Sequence, residues 1–123
     1  MANGTFNLSI GGTFSANGVT WTIPTGQTEI TIGQEYVKST YVAPFAGEAA
    51  LALGGVANPI LIYISNRDSA NYVDLLVGSG GAIAAQILFG QAAWVPWVAT
   101  VAPYVLADTA DVLIDYAVFD TQA

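Results

Sequence analysis

The 123-residue chain contains neither histidine nor cysteine, so acid and base chemistry would fall to nine carboxylates, six tyrosines and one lysine, Lys38. The usual ligands for zinc, iron and copper are missing as well, and no disulfide can form. The most suggestive carboxylate pair is Asp111 and Asp115. On an extended strand they share a face, about 13 Å apart at roughly 3.3 Å per residue. Glycosidase pairs need about 5 to 9.5 Å, so the two are expected to be outward-facing solubilising charges, and the chain is not expected to be an enzyme.

The polar run Asn66-Arg67-Asp68-Ser69-Ala70-Asn71, with Asp74 close by, offers oxygens to a calcium ion. Calcium takes six to eight oxygen ligands, and its best-known loop needs a glycine and a distal glutamate. This run has neither. Asn, Asp and Ser favour turns because their side chains bond nearby backbone, and a turn is the expectation. Gly78-Ser79-Gly80-Gly81 lacks the lysine of a phosphate loop and precedes no convincing helix. No metal and no cofactor are expected.

Trp94-Val95-Pro96-Trp97 is the aromatic motif. On a strand Trp94 and Pro96 point one way, Val95 and Trp97 the other. One indole can then fill the core while the other is presented outward, to stack on a sugar ring or to anchor a subunit interface, where Trp and Tyr are enriched; burial of both indoles in one domain is the plainer alternative. Tyr63, Tyr72 and Tyr104 carry the same ambiguity. The interface reading places Trp94, Pro96, Trp97 and Tyr104 in or near a subunit contact.

These residues must be positioned by strands. Phe6, Leu8 and Ile10 alternate with Thr5, Asn7 and Ser9, and Val19, Trp21 and Ile23 alternate with Thr20 and Thr22, the period of half-buried strands. Asn17-Gly18 is a two-residue hairpin signal. Pro24-Thr25-Gly26 and Gly33 look like further turns. Tyr36 to Val42, Ala49 to Leu53, Pro59 to Ile64, Tyr72 to Val77, Ile83 to Phe89, Trp94 to Val98 and Asp111 to Phe119 read as strands, with turn signals every eight to twelve residues. About nine strands and no helix predict an all-β antiparallel sandwich of eight to nine strands as a single domain over residues 1–123. A jelly roll is the first expectation and an immunoglobulin-like arrangement the second.

Composition narrows the partners. Charged residues make up 9% of the chain and hydrophobic ones 54%, with a net charge of −7 and Lys38 and Arg67 as the sole basic residues. Two cations cannot neutralise a nucleic-acid footprint or hold an anionic membrane. The uncharged stretch from Leu75 to Ala107 is long enough to cross a bilayer, but glycines, Pro96 and Pro103 interrupt it and no Lys or Arg flanks it. Met1-Ala2-Asn3-Gly4 lacks the basic and apolar regions of a secretory signal. The surplus apolar surface is better explained by burial between subunits.

The second half carries Ile62-Tyr63-Ile64-Ser65-Asn66, a short polar turn, Asn71-Tyr72-Val73, then Leu88-Phe89-Gly90, and Ala107-Asp108-Thr109-Ala110 leading into Val112-Leu113-Ile114-Asp115-Tyr116-Ala117-Val118. This order, over about residues 59 to 119, resembles small β-sandwich structural proteins of tailed bacteriophage virions, the group of capsid decoration (cement) proteins, head fibres and tail components. It departs from that pattern at Phe89-Gly90-Gln91, where Pro-Gly-Glu is common. The resemblance implies a jelly-roll homotrimer on the outer surface of the capsid, in contact with the major capsid protein. The alternative is a carbohydrate-binding module, or a receptor-binding head-fibre or tail component, using an aromatic platform and the 66–71 loop.

Overall fold

The computed structural model describes residues 4–32, 36–98 and 100–120; the turn expected at Gly33 and the N-terminal Met1-Ala2-Asn3 lie outside them. The described chain is all-β. Two long strands, β1 (Gly4–Ala16) and β2 (Val19–Ile32), pair antiparallel as a separate two-stranded sheet. Asn17 (φ 52°) and Gly18 (φ 77°) join them, the double positive φ of a type I′ hairpin turn. Pro24-Thr25-Gly26 does not end the strand as expected. The register shifts between Ile10 and Gly12, which pair with Gly26 and Ile23 respectively, and a proline without an N–H is tolerated where a bulge already interrupts the ladder.

The other eight strands are β3 (Tyr36–Ala43), β4 (Ala49–Ala50), β5 (Pro59–Asn66), β6 (Val73–Val77), β7 (Ile83–Ile87), β8 (Ala92–Pro96), β9 (Pro103–Ala107) and β10 (Val112–Asp120). They form two antiparallel four-stranded sheets in the orders β3-β10-β5-β8 and β4-β9-β6-β7. Successive strands mostly alternate between sheets, and the first lies beside the last, which is the doubly wound Greek-key order of a jelly roll. The described residues fall into two compact units, one holding the β1–β2 hairpin and the other the sandwich.

Alternation decides what lies between the sheets. Ile62 and Ile64 of β5, Val73 and Leu75 of β6, Val105 of β9 and Ile114 of β10 have no exposed surface and belong to one cluster; each such side chain contributes about 1.5–3 kcal/mol. Tyr116 enters the same core, and its hydroxyl donates to the Ala52 carbonyl at 2.8 Å. Burial pushes that phenol's pKa up, keeping the proton in the bond.

Several elements differ from the sequence reading: β7 ends at Ile87 rather than Phe89, and β8 runs from Ala92 to Pro96 rather than from Trp94 to Val98, so that Trp97 follows the strand. Ala49 to Leu53 shrinks to the two residues of β4, because Leu53 accepts from the Val56 amide in a turn that contains Gly54 at positive φ. Pro103–Ala107, not anticipated as a strand, pairs with β4 and β6. Its proline stands at the first strand position, where no ladder N–H is needed. Among the described residues no helix is long and apolar enough to cross a membrane.

Candidate functional site

The polar run after β5 is a closed turn. Asn66 is buried, and its amide Nδ2 donates to the carbonyls of Asn71 (2.9 Å) and Ile87 (3.0 Å) while its Oδ1 accepts the Asp68 amide (2.8 Å). Its backbone bonds Gln91 and Gly90, so one residue ties the β5–β6 turn to the β7–β8 loop. Asp68 Oδ2 accepts from the Asn71 amide (2.7 Å), the Ala70 amide (3.0 Å) and Asn71 Nδ2 (3.2 Å). The Asn71 amide, then the Ala70 amide, hold the Asp68 carboxyl below its ordinary pKa. Asn66 Oδ1 and Asp68 Oδ2 are thus engaged by N–H groups of their own turn, and among the described residues no group of three or more His, Cys, Asp or Glu is arranged to hold a metal.

The tryptophan motif splits as alternation requires. Trp97 packs against the core, and its Nε1 donates to the Val101 carbonyl at 2.7 Å. A cavity of about 90 Å³ between Val77, Ala84, Pro96, Trp97 and Val98 lies beside it. Trp94 is half-buried on the outer face of the β3-β10-β5-β8 sheet, beside Tyr63 with ring centroids 4.5 Å apart. Exposed Pro96 shares that face and ends the edge strand β8, a position that tolerates a missing donor. Tyr104 alternates with inward Val105 on β9 and so belongs to the outer face of the opposite sheet. Of the four residues grouped from sequence, Trp94 and Pro96 thus share an outer face, Pro96 and Trp97 line one cavity, and Tyr104 stands on the other sheet.

A second polar group was not legible as a unit. Register places Lys38, Ala117, Tyr63 and Trp94 in one row across β3, β10, β5 and β8, and Thr40, Asp115, Ser65 and Ala92 in the next. Side chains of both rows share the outer face. Thr40 Oγ1 donates to Asp115 Oδ1 at 2.8 Å, and Arg67 bonds Asp115 Oδ2 at 3.1 Å. A cavity of about 480 Å³ is lined by Lys38, Ser39, Thr40, Tyr63 and Asp115. The fold thus pairs Arg67 with Asp115 and lines the cavity beside that carboxylate with Lys38. Asp111, by contrast, lies in the loop before β10 and accepts the Phe45 amide at 3.2 Å; it closes a turn and takes no part in this face.

Aromatic side chains continue from that cavity along the sheet. Trp94 lies 6.5 Å from Phe119, and Phe119 lies 6.3 Å from Tyr36, centroid to centroid, within the range of favourable ring pairs. No family model matches the chain, and no curated protein or solved structure matches it.

Proposed function

We propose that the chain is a non-enzymatic structural protein of a tailed-phage virion, a capsid decoration protein that assembles as a homotrimer on the outer capsid surface. Its action is mechanical: each trimer bridges neighbouring major capsid protein subunits and adds interface area that resists internal pressure. The observation that carries this reading is the apolar surface the sandwich leaves uncovered. Val42 and Leu113 are register partners on one outer face, and Phe45 and Phe89 stand in loops; Val42 is 52%, Phe45 50% and Phe89 54% exposed. Exposed apolar patches on soluble proteins mark interaction sites.

The resemblance in the second half supports the same reading. Its scattered pieces converge in space: Asn66 bonds Asn71 and Gly90, Asp108 donates its amide to the Tyr72 carbonyl, and Thr109 bonds Asn71 at 3.0 Å. In this chain those pieces make up one loop-bearing end of the sandwich. A net charge of −7 suits the outside of a capsid better than contact with packaged DNA.

Light scattering of the purified protein across a dilution series, with co-sedimentation on undecorated capsids, tests the proposal. A trimer that pellets with capsids is expected. A monomer at every concentration that stays in the supernatant overturns it.

A further inference from the structure

We propose that the open cavity on the outer face of the β3-β10-β5-β8 sheet, lined by Lys38, Ser39, Thr40, Tyr63 and Asp115 and flanked by Arg67 through its pair with Asp115, binds a carboxylated saccharide. The inference does not rest on the virion reading. Its volume, about 480 Å³, falls in the range of small-molecule sites, about 300–1,000 Å³. Tyr63 supplies an aromatic wall whose ring is braced by Trp94 at 4.5 Å, a surface suited to the apolar face of a sugar ring.

Charge sets the ligand class. In a chain of net charge −7 one of the two cations, Lys38 of β3, lines this cavity, and the other, Arg67 of the turn after β5, is paired with the Asp115 carboxylate that lines it. Lys38 makes no ion pair among the described residues, and Arg67 spends one of its donors on Asp115, leaving others of the guanidinium fork available. The site therefore holds a local positive excess that attracts one carboxylate. Asp115 and Thr40 sit between the cations as acceptors for hydroxyl donors. A phosphate has no apolar ring face to set against Tyr63, and a long polyanion is repelled by the rest of the surface. A hydroxylated ring bearing a single carboxylate matches donors, acceptors and aromatic wall together.

The test is an NMR titration of the isotope-labelled full chain with a glucuronate-containing hyaluronan tetrasaccharide and with sialyllactose, against lactose, cellotetraose and inorganic phosphate. Shifts centred on Lys38, Thr40, Tyr63, Arg67 and Asp115 are expected with an acidic glycan, and whichever acid binds identifies the source as uronic or sialic. Neutral glycans are expected to bind at least about tenfold more weakly, as are acidic ones to Lys38→Gln, through loss of a charge-assisted bond. Lys38 is exposed, so this variant reads binding without disturbing the fold; Tyr63→Ala, verified as folded by its spectrum, should abolish the shifts. Binding of neither acidic glycan, equal binding of neutral ones, unchanged affinity in Lys38→Gln, or displacement by phosphate at comparable concentration would each overturn the proposal.

Discussion

Two polar clusters in this sandwich use similar residues to opposite ends. Around Asn66 the donors and acceptors come from residues within a few positions of one another and from the end of β7, and they satisfy each other. Around Asp115 they come from β3, the turn after β5 and β10, 75 and 48 residues apart along the chain at the Thr40 and Arg67 bonds, and they face an open cavity. The first cluster consumes its hydrogen-bonding capacity in holding loops; the second keeps part of it for another molecule. A buried polar group is costly once a partner is lost, whereas an exposed one is rehydrated, so the two should fail differently when altered.

The largest effect is expected at the closed cluster. Asn66→Ala strips partners from the Asn71 and Ile87 carbonyls and the Asp68 amide and should cost about 4 kcal/mol in a denaturant melt, leaving glycan affinity intact in the folded fraction. Trp97→Ala, which removes a half-buried indole packed against the core rather than a member of either cluster, should cost about 3 kcal/mol. Loss of assembly without loss of stability in that variant would move Trp97 to a subunit contact.

Acid sharpens the contrast. Asp68 has its pKa lowered by the turn, so its stabilising contribution is complete above the unfolded-state value and is lost as pH falls through the lower folded one. Stability should drop on acidification below the ordinary value of 3.8, and Asp68→Asn should remove that component of the slope. The smallest effect on folding belongs to the open cluster: Lys38→Gln should shift stability by less than about 0.5 kcal/mol, while Arg67→Gln, breaking a surface pair, should cost under about 1 kcal/mol. A large loss of stability in either would erase the distinction between the clusters.

The same contrast explains what was legible. The turn at Asn66–Asn71 could be read from the chain because its bonds are local side-chain-to-backbone ones. Alternation likewise assigned Trp94 and Trp97 to opposite faces and marked most strands, but it says which face a residue takes and not which strand lies beside it. The choice between jelly-roll and immunoglobulin-like order therefore stayed open, as did the placing of Tyr104 on a different sheet from Trp94 and Pro96. β9 was hidden because five residues beginning with proline carry little signal of their own. Lys38, Arg67 and Asp115 become neighbours through non-local pairing alone, and the one hint available was that a chain so poor in cations holds its two at all.

The position of β10 carries a consequence for how the molecule is made. Last of the sandwich strands in sequence, it lies between β3 and β5 and bonds both. The sheet cannot close while ribosomal synthesis is still short of residue 112, and long-range closures of this kind make folding slow. Until then β3 and β5 each present a strand edge of the sort that recruits other chains, so ribosome-bound fragments ending before β10 should be captured by chaperones, and release of the segment Val112–Asp120 should be the event that frees them.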